Sequence, residues 1–303
     1  MSYGLPYMGS KNAIAHKIIE CLPKTENFYD LFCGGCSITE CAILSKKWKN
    51  IYFNDIDGEI PKLFLNAIHG KYQSEKEWIS REEFLKRKDN DAYVRLCWSF
   101  GNSGKAYLYS KEIEPFKKAY WYAIFFDDFS LFWKLGINIP KVKAKNYKAK
   151  RLAIKTKLKK IYTDTRLQRL QSLQSLESLE RLQRLERLQR LQSLERLEMS
   201  SKSYDEVSIK ENSIVYCDIP YENTAEYISG SFNHKKFYDW AFNQKELVVI
   251  SSYEISDDRF QRVINFKKVS LLNNAVKSKK KKKEGLFVAK NKIELWKKLK
   301  ENK

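Results

Sequence analysis

No apolar run among the 303 residues approaches the ~20 that a membrane-spanning helix needs, so no membrane partner is expected. The start, Met1-Ser2-Tyr3-Gly4, lacks the apolar core of a signal peptide, and a cytoplasmic chain is expected. Histidine is scarce, at three residues. Cysteines stand at 21, 33, 36, 41, 97 and 217, and only Cys33 and Cys36 have C-x-x-C spacing. No second Cys/His pair lies at zinc spacing, so free thiols and no metal are expected. Acids are outnumbered, 37 Asp+Glu against 57 Lys+Arg, which gives +20. That imbalance calls for a polyanionic partner, either nucleic acid or an anionic surface. A hydrophobic content of 43% allows a real core, in one large domain or two small ones.

The stretch Val215-Tyr216-Cys217-Asp218-Ile219-Pro220-Tyr221 carries the most chemistry. Its apolar start, Ile214 to Cys217, reads as a buried strand, and Asp218 to Tyr221 then fall at the strand's C-terminal edge, where open α/β sheets bind ligands. A carboxylate beside a flat ring suits a planar amine such as a nucleobase. The tetrad alone is also what a plain proline turn looks like. Near the N-terminus, Tyr7-Met8-Gly9-Ser10-Lys11-Asn12 precedes a helix that Ser10 can cap, with Ile14, Ile18 and Ile19 on one face. Lys11 beside that helix start makes a corner for a carboxylate or phosphate. Asp30-Leu31-Phe32-Cys33-Gly34-Gly35 reads as strand end and glycine turn, leading into a helix from Ile38. It is neither a G-x-G-x-x-G fingerprint nor a P-loop. A second strand, Ile51-Tyr52-Phe53, ends in Asn54-Asp55, and Asp55 lies about 20 residues past the glycines, where Rossmann-like folds hold a ribose hydroxyl.

In this order the motifs resemble the DNA adenine-N6 methyltransferases of the DNA adenine methylase family, of phage or prophage type. The resemblance implies an α/β, Rossmann-like sheet flanked by helices and S-adenosylmethionine as methyl donor. It implies double-stranded DNA as partner, in a setting such as restriction-modification. It would set Tyr7, Lys11, Asp30, Phe32 and Gly34 around the methionine part of the cofactor and Asp55 on its ribose. Asp218, Ile219, Pro220 and Tyr221 would be the catalytic tetrad. Two positions depart from the family's usual pattern: Cys36 stands where another glycine is common, and Ile219 where the tetrad has its first proline.

The expected domains are residues 1–75 and 203–303 for cofactor and catalysis, a mostly helical recognition insert over 76–165, and a repeat over 166–198. In the insert, Val94 to Lys105 runs from an aromatic stretch into a polar, glycine-flanked loop, and resembles the family's segment near the target base. Residues 116–133 read as aromatic core, and 141–160 as a basic stretch for phosphate contacts. From Leu167 to Leu197 every third residue is leucine, among good helix formers without Gly or Pro. Three residues turn a helix by about 300°, so the leucines wind round it and no single face can bury them. A long, partly exposed helix is expected, with a solenoid-like stack or a disordered insert as alternatives. Residues 224–231 read as a polar loop over the site, His234 as a structural histidine, and Ser251-Ser252-Tyr253 as the rim of the same pocket. Residues 277–283, with six lysines, read as a loop over DNA.

The adenine N6 amine is a poor nucleophile because its lone pair is conjugated with the ring. Asp218 can accept one N6–H and the Ile219 carbonyl the other, while Tyr221 stacks on the extruded base. The same hydrogen bonds suit any exocyclic amine. An N4-cytosine or RNA amine methyltransferase therefore stays open, as does an inactive DNA-binding protein.

Overall fold

The computed structural model describes residues 3–7, 9–161, 176–192, 196–222, 232–266 and 284–301. The expected loops at 224–231 and 277–283, Met8 and residues 167–175 and 193–195 of the repeat lie outside them. The chain divides into two compact units, Met1–His69 with Leu188–Lys303, and Gly70–Arg187.

In the first unit the described residues form a seven-stranded sheet: β1 (Asn27–Asp30), β2 (Asn50–Asn54), β3 (Leu197–Ser200), β4 (Ser213–Cys217), β5 (Leu247–Ser252), β6 (Phe260–Asn265) and β7 (Gly285–Ala289), in the order β3-β2-β1-β4-β5-β7-β6. The first five strands in that order pair in parallel. β7 runs antiparallel to both β5 and β6. Every residue of β1, β4, β5 and β7 is buried. This is why Ile214–Cys217 of β4 and Leu247–Ile250 of β5 read as unbroken apolar runs rather than alternating ones. Helices α1 (Ala15–Cys21) and α2 (Ser37–Ser45) pack together. Phe237, Tyr238 and Ala241 of α10 (His234–Asn243) join Tyr29, Val215 and Val248 in a core cluster. Helices α3 (Glu59–Ile68) and α11 (Ile293–Glu301) complete the unit's long elements. The expected α/β, Rossmann-like sheet is what forms.

β1 is the strand at which the order reverses. From it the chain goes to β2 on one side and, much later, to β4 on the other. A reversal of this kind opens a crevice at the strands' carboxyl ends. Asp30 lies opposite Phe53 and Tyr216 in register. Asp55 and Asp218 each follow two residues past those partners, so three acids gather at one edge.

The second unit is helical: α4 (Arg81–Arg87), α5 (Ala92–Cys97), α6 (Glu114–Phe125), α7 (Ser130–Lys134), α8 (Tyr147–Ile161) and α9 (Glu177–Leu188), whose last residue is already in the first unit. Its centre is aromatic. Trp98 and Trp121 are fully buried, with ring centroids 5.2 Å apart, and Trp78 meets Trp98 edge-on at 5.0 Å. Tyr120, Ile124, Phe129 and Phe132 are buried too, as expected of core.

The repeat departs from expectation. Leu176, Leu179, Leu182, Leu185, Leu188 and Leu191 are all at most 1% exposed. From Leu179 to Leu188 the leucines do wind about half-way round the helix, by about 60° per step. They are nonetheless covered, because neighbours reach the helix from several sides and pair with the charged residues between the leucines, even where those stay exposed, as Glu180 does. Glu177 takes Lys117, Glu180 takes Arg151, and Glu186 takes the Tyr147 hydroxyl. Past Leu188 the chain tightens into a 3₁₀ turn, Gln189–Leu191, whose period of about three aligns Leu188 with Leu191.

Arg181 of this helix donates from one guanidinium nitrogen to the carbonyls of Leu96, Cys97 and Ser99, at 3.2, 3.0 and 2.7 Å. The Leu96 and Cys97 carbonyls are ones that the end of α5 leaves without helical donors, and the Ser99 carbonyl just beyond it also accepts from Asn102 N–H at 3.3 Å. Arg181→Met is expected to destabilise the chain by about 1.5–3 kcal/mol, the range for hydrogen bonds to a charged group. Urea denaturation measures this, and a loss below 0.5 kcal/mol, about the scatter of surface substitutions, would mean that the carbonyls find other donors.

Candidate active site

The N-terminal segment is held onto the sheet by its backbone. Gly4 N–H donates to Glu40 Oε2 at 2.5 Å, and Leu5 N–H to the Gly35 carbonyl at 2.6 Å. Glu40 is fully buried and also binds Arg190 at 2.9 Å. Ser10 caps only a 3₁₀ turn, Lys11–Ala13, and α1 begins separately at Ala15. The expected single capped helix is thus broken at Ile14. The break matters, because it leaves Lys11 on a short turn facing inward, 9% exposed.

The Lys11 ammonium finds its carboxylate within the chain. Nζ lies 2.6 Å from Asp218 Oδ1 and 2.6 Å from the Tyr221 hydroxyl. The Tyr221 hydroxyl donates to Glu284 Oε2 at 2.7 Å, and Ser251 Oγ donates to Glu284 Oε1 at 3.0 Å. Burial opposes the charge on Lys11, but Asp218 and Glu284 outweigh it and hold the ammonium above its ordinary pKa. Burial pushes the Asp218 carboxyl up, and Lys11 draws it only part of the way back. Burial with Asp218 and Glu284 keeps the Tyr221 phenol protonated, as donation to Glu284 requires.

The loop after β4 is fixed from below and behind. The Ile219 side chain is 3% exposed, inside the cluster with Val215, Phe237 and Ile250. Burial there restrains the peptide that a proline would restrain through φ. His234 Nε2 lies 2.8 Å from the Pro220 carbonyl and donates to it in that tautomer, which is the structural role expected of it. Tyr253 packs against the Tyr221 ring, with centroids 4.5 Å apart.

Next to this loop lies the glycine turn after β1. Gly34 has φ +43, and a Cβ on Gly35 would come within 2.4 Å of Tyr7 Cβ, so the pair must be glycine for Tyr7 to lie over it. Gly34 N–H donates to Asp55 Oδ2 at 2.8 Å, and Asp57 N–H to Asp55 Oδ1 at 3.0 Å. Each carboxylate oxygen keeps acceptor capacity for a further hydroxyl. Cys36 holds a left-handed backbone, φ 56 and ψ 30, at the head of α2. That is a left-handed geometry that glycine adopts most easily. Phe32 packs its ring among Tyr204, Phe232 and Phe237 at 5.7–5.8 Å. Asp30 is 1% exposed; Oδ2 accepts from Thr39 at 2.7 Å, while Oδ1 is buried without a donor among the described residues. A buried carboxylate oxygen of this kind is costly unless something donates to it. A ligand amine at that edge would do so.

The residues singled out from the sequence therefore form two adjacent groups within one unit. Lys11, Asp218 and Tyr221 interlock, and Tyr7, Gly34 and Asp55 surround the glycine turn beside Asp30. Ser251 and Tyr253 stand against this cluster, at the rim where the sequence put them, whereas Glu284, Thr39 and Glu40 were not foreseen as site residues. The only sequence signal for Glu284 is an acid ending a lysine run just before a strand.

A family model described as MethyltransfD12, D12 class N6 adenine-specific DNA methyltransferase, matches residues 7–286. No curated protein matches the sequence.

Burial pushes the Asp30 carboxyl up to about 7; the Thr39 hydrogen bond opposes this, and Asp218 and Asp55 add to it. In the unfolded chain the group titrates near 3.9. Its folded pKa is the higher one, so its contribution to stability is full below about pH 4 and is lost as pH rises to about 7. Asp30→Asn is expected to gain stability relative to the parent across that window and to level off above it. Urea midpoints measured from pH 4 to 8 test this, and a constant difference between the two proteins would show that Asp30 ionises normally.

Proposed function

The chain belongs to the D12 class of N6 adenine-specific DNA methyltransferases, and from that premise we propose that Asp218, Ile219, Pro220 and Tyr221 receive the adenine N6 amine. We further propose that Tyr7, Lys11, Asp30, Phe32, Gly34 and Asp55 hold S-adenosylmethionine. The observation that carries the reading is the Lys11–Asp218–Tyr221 cluster at the carboxyl end of β4, directly beside the glycine turn of β1. Membership of an adenine-specific class favours N6 of adenine over N4 of cytosine, a choice that the hydrogen-bond logic left open.

The donor set suits the cofactor. Asp30 Oδ1 would accept from its amino group, Asp55 from its ribose hydroxyls, and Tyr7 over the glycine pair would wall its middle. When bound, the cofactor supplies a methyl group on a sulfonium centre. Asp218 accepts one N6–H and the Ile219 carbonyl the second, which draws the lone pair out of ring conjugation. The raised pKa of Asp218 suits it to take the proton that N6 sheds once the new N–C bond forms. Tyr221, with Tyr253 behind it, offers a stacking surface worth roughly 1–3 kcal/mol per base. Holding the amine in line with the methyl group can remove about 7–11 kcal/mol of barrier at best. Extrusion of the base costs a few kcal/mol, which DNA contacts must offset. The helical unit, Gly70–Arg187, is the proposed DNA-reading part. Lys141, Lys143, Lys145 and Lys148 are exposed there and suit phosphate contacts.

Asp218→Asn is expected to abolish transfer of a labelled methyl group to mixed-sequence DNA while S-adenosylmethionine binding, followed by calorimetry, survives. Digestion of the parent's product to nucleosides is expected to yield N6-methyladenine. Retained turnover in the variant would overturn the role of Asp218.

A further inference from the structure

Glu284 stands outside the motifs and yet reaches their centre. It is the first described residue after 266, its backbone carbonyl accepts from Phe266 N–H at 2.8 Å, and β7 follows it at once. β7 pairs antiparallel with β5, with Gly285 opposite Ser252, so its carboxylate is carried to the edge of the β4 loop. The side chain is 11% exposed and is committed on both oxygens, to the Tyr221 hydroxyl and to Ser251. Its Oε2 also lies 4.0 Å from Lys11 Nζ. Among the described residues the groups that face it are Ser251 of β5, Tyr216 of β4, Asp218 and Tyr221 of the loop, and Lys11, with Tyr253 against the Tyr221 ring.

We propose that Glu284 is a positioning residue for methyl transfer: through the Tyr221 hydroxyl it holds Lys11 between two carboxylates, so that Asp218 keeps an oxygen free for the target amine. The proposal rests on the reading of Asp218 and Tyr221 given above. The physical reason lies in how an ammonium divides itself. A buried ammonium with one carboxylate for company settles on that carboxylate and spends its acceptor capacity. Here Lys11 gives one hydrogen bond to Asp218 Oδ1 and another to the Tyr221 oxygen, and Tyr221 in turn donates to Glu284. The second acid makes this shared arrangement the neutralising one for Lys11. It also fixes where the hydroxyl end of Tyr221 sits, while the Tyr253 ring packs against the ring on which a base would stack.

A charge effect accompanies the geometry. Glu284 raises the pKa of Asp218 and of Lys11 alike. Replacing it with the isosteric amide removes the charge and keeps an acceptor for Tyr221 and a partner for Ser251. Asp218 then ionises at lower pH, so the acid limb of the rate profile moves to lower pH. A residue that merely packed the loop would lower the rate without moving that limb.

The test uses the full chain, DNA and S-adenosylmethionine, with Glu284→Gln, Tyr221→Phe, the double variant and Asp218→Asn. Single-turnover methylation by Glu284→Gln at saturating S-adenosylmethionine is expected to fall at least about tenfold. Its acid limb is expected at lower pH than the parent's. If Glu284 acts through the Tyr221 hydroxyl, the double variant is no slower than Tyr221→Phe alone. A parental rate in Glu284→Gln, an acid limb that stays in place, or additive losses in the double variant would each overturn the proposal. If Asp218→Asn remains inactive in that event, the reading of the tetrad stands and Glu284 alone falls. Activity in Asp218→Asn would remove the reading on which the proposal rests.

Discussion

A single buried ammonium organises the site. Lys11 lies 207 residues before Asp218 in sequence, and 2.6 Å from it in space. Such a pair contributes little net stability, since desolvating both charges offsets most of their attraction, whereas removing one partner strands the other at about 3–5 kcal/mol. The pair therefore imposes geometry more than it adds stability. It forms only if β4 lies beside β1, if the N-terminal segment lies across the glycine turn, and if the turn before α1 points Lys11 inward. Each condition has its own fastening: the parallel β1–β4 pairing, the Gly4–Glu40 and Leu5–Gly35 hydrogen bonds, and the Ser10 cap. Two acids, Asp218 and Glu284, face this one lysine, and Asp30 and Asp55 add two more at the same sheet edge. The excess of negative charge suits a cationic methyl donor and an amine that gains positive charge as it reacts.

Much of this was legible from the sequence because strand ends are local events. An unbroken apolar run followed by an acid marks a buried parallel strand and its carboxyl edge, and Asp30, Asp55 and Asp218 were all read that way. Which strands become neighbours is not a local event. Glu284 meets Tyr221 and Ser251 only because β7 turns back antiparallel against β5, a pairing that no periodicity in residues 260–289 announces. Lys11 was seen as an anion-binding corner, and its anion turned out to be a side chain of the same protein. The cap by Ser10 was legible, but the break at Ile14 was not, since Ile14, Ile18 and Ile19 fit one continuous helical face.

The leucine repeat shows the opposite failure, a local rule applied without its surroundings. Winding by about 60° per triplet does defeat burial against a single flat neighbour. It does not defeat burial inside a bundle whose neighbours reach the helix from several sides. The arginines and glutamates between the leucines pair with those neighbours, Arg181 with backbone carbonyls and Glu177, Glu180 and Glu186 with side chains around the helix. The aromatic centre formed by Trp78, Trp98 and Trp121 supplies apolar surface to the same unit.

The two departures from the family's pattern place different demands on the fold. Ile219 surrenders the fixed φ of proline, but its side chain is clamped in the core cluster, so burial restores the restraint from the other side of the peptide. Cys36 has no such exchange available. Its φ of 56 is one that a side chain disfavours by roughly 1–2 kcal/mol, and its thiol lies against Cys33 Sγ and the Gly34 carbonyl at 3.6 Å each. Full burial of a small, soft side chain offsets part of that cost and leaves the glycine turn on its required path. The substitution that looks more drastic beside Asp218 is therefore the one the core absorbs, and the milder-looking one beside Asp30 is where backbone strain remains.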